Sequence, residues 1–341
     1  MTSDNETLFA WHILPLSTYA LHEPTLLSRL PTSTTFTELI RGDPEARIVV
    51  NFHGNAGHVA QGWRTDTYLR LSSLPHTHVF TIDYRGFGHS TGSPDERGLI
   101  IDAVTLIDHV LASTGINPSR VVILGQSLGT AVASAVTLYY ADPSSSLLPV
   151  LLPSSPISES TAPTVAESVK NTAPTLFAAT ILVAPFTSLP SLLQSYRIGG
   201  ILPILSPLKA YPFLQRFMEG YIVDRWPSLP RLVAYKEYLA TNSHAIEVAR
   251  KQGKEIGSLQ ILHAVNDRDI SFEQSVMLWK ELSGRKIDID IKGKGTRDEV
   301  DGTVTGGPHM GIRILEFGGH NRVVTFAPVA LAVMRAFDGQ C

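Results

Sequence analysis

Cysteine is almost missing from the chain: one occurs in 341 residues, and it is the last, Cys341. An internal disulfide and a cysteine-built metal site are therefore excluded. A thiol at a chain end is also a poor nucleophile, because nothing there holds a base beside it. Charge of one sign is missing too. The 28 Lys and Arg nearly balance 31 Asp and Glu, and no long run of like charge appears. The basic footprint of a nucleic-acid-binding protein is thus absent. Charged residues make up only 17% of the chain against 43% hydrophobic ones, which excludes a disordered polymer and argues a globular domain with a large core. There is no H-E-x-x-H pattern, and His76 and His78, side by side on a strand entry, have no evident third ligand. Neither a metal nor a cofactor is expected.

The N-terminus, Met1-Thr2-Ser3-Asp4-Asn5-Glu6, lacks the basic-then-apolar order of a signal peptide. Residues 121–141 are uncharged and long enough to span a bilayer by counting alone. Gly125 and Gly129 divide them, and a β-branched run precedes the glycines, so a buried strand, a turn and a buried helix are the better reading. The expected location is cytoplasmic or peripheral to membranes.

What the chain does contain is alternation. Apolar runs at 8–14, 47–52, 79–84, 121–124, 181–184, 259–263 and 312–317 read as strands. Helical stretches at 63–73, 96–113, 127–140, 272–282 and 322–337 lie between them. This order predicts a single α/β domain over 1–341 with a mostly parallel central sheet and helices on both faces. Residues 143–174, rich in Ser, Pro and Thr, and the Gly-rich 292–310 read as loop insertions. Residues 190–230 include an apolar, aromatic, Pro-broken stretch and are expected to form a small cap.

Ser127 stands in Gly125-Gln126-Ser127-Leu128-Gly129, directly after Val121-Val122-Ile123-Leu124. A strand, this turn and then a helix make the setting of a nucleophile elbow, in which glycines relieve crowding so that the serine projects above the sheet. The expected fold is therefore the α/β-hydrolase fold. His53-Gly54-Asn55-Ala56-Gly57 follows the 47–52 strand, where such a fold builds half of its oxyanion hole. The backbone N–H groups of Asn55 and Leu128 are the expected donors, with His53 as an anchor of the loop. The triad order on this fold is Ser, acid, His. Asp267 follows the 259–263 strand and is the expected acid; Asp269 is the alternative. Of the 12 histidines only His309 and His320 lie beyond it, and His309 falls within the polar insertion, so His320 is the expected base.

With these residues placed, the chain resembles the α/β-hydrolase-domain serine lipases, the family of monoacylglycerol and lysophosphatidylserine lipases. The likeness rests on Ala10-Trp11-His12-Ile13-Leu14-Pro15, on residues 53–57, and on Asp83-Tyr84-Arg85-Gly86-Phe87-Gly88 with Ser90, Gly92, Pro94, Glu96, Arg97 and Gly98. Residues 125–130, Ala184-Pro185-Phe186-Thr187 and Leu262-His263-Ala264 with Asp267 complete it. The resemblance implies hydrolysis of long-chain acyl esters, with a lipid substrate, a peripheral membrane contact and no nucleic-acid partner. It departs in the two insertions and in starting just before the first strand, where family members often carry a membrane helix. A protein-palmitoyl thioesterase, a serine peptidase and a silent ligand-binding hydrolase fold are the rivals. In the 83–98 segment, Arg85 and His89 either meet an anionic headgroup or brace the catalytic loops; the glycine turn favours the brace.

Overall fold

A computed structural model describes residues 1–28, 32–151, 174–195, 197–198, 202–203, 222–253, 256–285, 300–303 and 309–339. Most of the 143–174 and 292–310 insertions, much of the 190–230 cap, and Cys341 lie outside the described residues.

The strands are β1 (Ala10–Ile13), β2 (Arg47–Phe52), β3 (Thr77–Ile82), β4 (Val121–Gln126), β5 (Ala179–Val183), β6 (Arg197–Ile198), β7 (Leu202–Pro203), β8 (Ser258–Ala264), β9 (Val300–Thr303) and β10 (His309–Leu315). Eight of them form one sheet in the order β1-β3-β2-β4-β5-β8-β10-β9, and β6 pairs only with β7. From β3 to β10 neighbours run parallel, while β1 and β9 close the two edges antiparallel.

The inner strands are mostly apolar and mostly buried, because both faces are covered. Period-two alternation divides their side chains between two cores. Ile48, Val50 and Phe52 of β2 join Val121 and Ile123 of β4 on one face, against Ile100 and Ile107 of the helix Glu96–Thr114. Val49, Val122 and Leu124 turn to the other face, where Tyr68 and Leu71 of the helix Arg64–Ser72 and Val329 and Val333 of the helix Ala327–Asp338 cover them. Among the described residues no helix is long and apolar enough to cross a membrane.

Several expectations need correction. The polar insertion at 292–310 is not all loop: β9 lies within it and pairs with β10, so His309 opens a strand. The pairing supplies backbone partners that sequence polarity does not reveal. The helix expected over 322–337 is broken. A short helix, Gly319–Arg322, and a 3-10 turn, Val323–Thr325, precede Ala327–Asp338. Phe326 is extended there, and Pro328 occupies the first turn, where its missing N–H leaves nothing unpaired. Leu16–Ser28 is helical despite Pro24, and only Leu26 of it is buried, so no apolar period marked it. Ser228–Thr241, for which the sequence predicts no element beyond residue 230, is a core helix: Tyr235 and Leu239 pack with Leu138, and Arg231 pairs with Glu96 at 2.7 Å.

Several histidines are drawn into the interior. His78 is fully buried, and its Nδ1 lies 2.9 Å from Nε2 of His12, whose ring stacks on Phe80. Burial pushes His12 down to about 3, with His78 acting in the same sense, and holds His53 and His78 down to about 4. These folded-state values lie below the 6.5 of the unfolded chain, so the unfolded state binds more protons between pH 6.5 and 4. Stability is present above pH 6.5 and is lost as the pH falls through that window, by about 1.4 kcal/mol per unit for each such group. The melting temperature should therefore drop between neutral and mildly acidic pH. His12→Phe, which keeps an aromatic ring on Phe80, should make that slope shallower; an unchanged slope would show that the acid sensitivity arises elsewhere.

Candidate active site

The site is assembled at the carboxyl ends of the parallel strands. At the end of β4 the chain turns into the helix Leu128–Ala141 through Ser127, which takes φ 53° and ψ −121°. A left-handed φ is strained for a serine. It is held by the Ser127 N–H donating to the Val183 carbonyl at 3.0 Å, and by the Thr130 hydroxyl donating to the Ser127 carbonyl at 2.6 Å. Both flanking glycines are obligatory. A Cβ on Gly125 would stand 2.3 Å from the Gly129 carbonyl oxygen, and one on Gly129 would stand 2.0 Å from that of Phe52.

Asp267 follows β8 and His320 sits in the short helix after β10. The structure brings both to Ser127. Nε2 of His320 lies 2.9 Å from Oγ of Ser127, and Nδ1 of His320 lies 2.8 Å from Oδ2 of Asp267. The Asp267 carboxylate is fully buried. Its Oδ1 accepts the backbone N–H groups of Asp269 and Ile270, each at 2.9 Å, and its Oδ2 also lies 3.2 Å from Nε2 of His263. Burial opposes ionisation of this carboxyl, but hydrogen bonds from His263 and His320 outweigh it and hold it well below the usual carboxylate range. Asp269 contributes a backbone N–H to the cluster, not a carboxylate.

Three side chains beyond the expected set serve this arrangement. The amide of Gln126 donates to the His320 carbonyl at 3.0 Å, and Oδ1 of Asn266 accepts the Gly319 N–H at 2.8 Å. His263 is held by Ser275 Oγ at 2.7 Å and by the Ile270 carbonyl at 3.0 Å. Nothing in the composition singles out Gln126 and Asn266. The available signal was their position, each one residue before the serine or the acid.

The 53–57 loop lies against the serine: a Cβ on Gly54 would be 3.3 Å from the Ser127 Cβ. Leu128 opens its helix, so its N–H has no intrahelical acceptor. The Asn55 N–H meets no acceptor among the described residues. His53 anchors the loop, its carbonyl accepting the Tyr84 hydroxyl at 3.0 Å and its Nδ1 donating to the Gly54 carbonyl at 2.8 Å. Asp83 ties the next loop to it by accepting the N–H groups of Val59 at 2.6 Å and His89 at 3.0 Å. Arg85 is a brace. It pairs with Asp102 at 2.8 Å and Asp4 at 2.7 Å and is unavailable to a headgroup.

The profile of the alpha/beta hydrolase family matches residues 49–329, which takes in Ser127, Asp267, His320 and the 53–57 loop. The chain belongs to that family. This hydrolase is 48% identical over 87 residues to the lysophosphatidylserine lipase ABHD12 of Gallus gallus, a stretch covering 26% of this chain and 22% of that protein. It is 37% identical over 118 residues to the protein bem46 of Schizosaccharomyces pombe, 34% of this chain and 39% of that one. The matched stretch thus spans well under half the length of these relatives. Among solved structures, the hydrolase resembles Est1E from Butyrivibrio proteoclasticus with ferulic acid bound. That match has a TM-score of 0.51 and 12% identity over 99% of this chain and 97% of the other. A second, the esterase Pf2001 of Pyrococcus furiosus, has a TM-score of 0.50 and 14% identity over 99% and 88%. These two likenesses concern the fold alone.

The geometry separates the two candidate acids. Asp267→Asn should lower kcat of an ester substrate by about 10⁴-fold, since the imidazole loses its orienting carboxylate. Asp269→Asn should leave kcat within a few-fold of wild type. A larger loss in the second variant than in the first would reverse the assignment.

Proposed function

We propose that this hydrolase cleaves carboxylic esters of long-chain acyl lipids, monoacylglycerols or lysophospholipids, through an acyl-enzyme on Ser127. The observation that carries the reading is the unbroken run of hydrogen bonds from the buried Asp267 through His320 to Ser127 Oγ, with distances of 2.8 and 2.9 Å. Each link has a task. Asp267 stays ionised, orients the ring and stabilises its charged form. His320 Nε2 accepts the Ser127 proton as Oγ attacks the ester carbonyl. The Asn55 and Leu128 N–H groups receive the oxyanion, each worth about 3 kcal/mol in the transition state. His320 then protonates the leaving alcohol, and later takes a proton from the water that releases the acid.

The choice of a lipid rests on the relative named a lysophosphatidylserine lipase and on the motifs shared with lipases of this family. A peripheral membrane contact accompanies such a substrate, because the acyl chain is delivered from a bilayer or micelle.

A panel of monoacylglycerols, lysophospholipids and acyl thioesters, compared between wild type and Ser127→Ala, tests both parts. Hydrolysis of the lipid esters should fall at least about 10³-fold in the variant while the fold is kept. A fluorophosphonate should label wild type only. Full activity in Ser127→Ala removes the serine from the mechanism, and preferential cleavage of thioesters moves the substrate class to acylated proteins.

A further inference from the structure

Arg64 opens the helix Arg64–Ser72, yet its side chain turns back beneath the 53–58 loop. Its Nη2 donates to the carbonyls of Gly54 at 3.0 Å and Ala56 at 2.6 Å, with that of Asn55 at 3.4 Å. Its Nη1 donates to the His58 carbonyl at 2.7 Å. No carboxylate among the described residues forms an ion pair with it, and burial lowers its affinity for its proton. A guanidinium that is partly desolvated and hydrogen-bonded to carbonyls, with the Asp83 carboxylate acting on it only through space, holds backbone dipoles in place.

The Gly54 carbonyl matters most among these. It accepts from both Arg64 and Nδ1 of His53. In a planar trans peptide the carbonyl and the following N–H point in opposite directions, so fixing this carbonyl fixes the Asn55 N–H on the other edge. The peptide needs fixing. Gly54 sits close against Ser127, where an added Cβ would be 3.3 Å from the serine Cβ, and a glycine leaves the neighbouring peptide plane free to flip. Next to it Ala56 holds φ 58° and Gly57 φ 71°, a pair of left-handed residues whose carbonyls need an external partner. Without the cation, carbonyls brought toward one point repel each other.

We infer that Arg64 is a positioning residue of the oxyanion hole: its fork holds the Gly54–Asn55 peptide so that the Asn55 N–H faces the reacting carbonyl. This rests on the serine-hydrolase reading above. Its effect is confined to the transition state, so kcat should fall while KM changes little.

The test uses the full-length enzyme and a p-nitrophenyl acyl ester, with Ser127→Ala as control. Arg64→Met should lower kcat about 10- to 100-fold, short of the hundred- to thousandfold loss on deleting an oxyanion donor, with KM within about threefold. Arg64→Lys keeps the charge but not the fork, and should remain impaired about tenfold. Guanidinium ion at sub-denaturing concentration should restore part of the kcat of Arg64→Ala. That rescue distinguishes positioning from general damage to the fold, and Arg64→Lys carries the same comparison should the truncations unfold. An Arg64→Met enzyme with kcat within twofold of wild type overturns the inference, as does full activity in Arg64→Lys. A dead Ser127→Ala beside a fully active Arg64→Met refutes this inference alone; an active Ser127→Ala refutes the reading beneath it as well.

Discussion

The close approach of the helix Leu128–Ala141 to the ends of β2 and β4 governs the whole site. Gly129 meets the Phe52 backbone where no Cβ would fit, and Gly125 meets Gly129 in the same way. Only at that separation does Ser127 take its left-handed turn, at a cost of roughly 1–2 kcal/mol. The surrounding sheet offsets this cost through the bond from Ser127 to Val183 and through the apolar residues buried on both faces of β4. The same contact brings the 53–57 loop against the serine, because that loop begins where Phe52 ends. Ser127 and the loop are therefore set by one packing distance. The strain at Ser127 and the glycines around it are two sides of a single constraint.

The parallel register distributes the remaining groups. The loops that leave the carboxyl ends of β2, β3, β4, β8 and β10 carry His53, Asp83, Ser127, Asp267 and His320 in turn. In an open α/β sheet these ends share one edge. Residues far apart in sequence need only follow the right strand to meet. That is why chain order could propose Asp267 and His320 as candidates, and why the inner strands, mostly apolar, were legible to within a few residues. What the sequence hid was organised by tertiary contact. β9 is polar and exists by pairing with β10. Leu16–Ser28 buries a single side chain and contains a proline. The helix Ser228–Thr241 shows its apolar face only once Leu138 is known to lie opposite it. Spacing also left Asp267 and Asp269 both open; in the fold it is the Asp267 carboxylate, oriented by two backbone N–H groups, that lies against His320.

The electrostatics of the cluster follow from the same placement. A carboxylate buried without partners would take up a proton. Asp267 is instead surrounded by two backbone N–H groups and two imidazoles. His263 gives it a second partner besides His320, and Ser275 and Ile270 fix the His263 ring in the core. Hydrogen bonds from the two histidines hold the carboxyl well below the usual carboxylate range, and of the two rings only that of His320 reaches Ser127 Oγ. One acid serves two rings of different duty, and the difference comes from burial: His263 is fully enclosed, while the His320 side chain keeps 12% of its surface exposed.

The loop that carries His320 has little core of its own, since no residue of Gly319–Arg322 is buried. It depends on side chains from elsewhere. Gln126 reaches its carbonyl from beside the serine, and Asn266 reaches its first N–H from beside the acid. The two tethers come from the chain neighbours of the two groups that His320 must touch. Any shift of β4 or β8 therefore moves a catalytic candidate and its tether together, and the imidazole follows both. Tethers of this kind hold the imidazole within 3 Å of both Ser127 and Asp267 although its own segment buries nothing. Arg64 does for the 53–58 loop what Gln126 and Asn266 do for this one. In each case a polar side chain from a well-packed element holds backbone that the glycines of the site leave free.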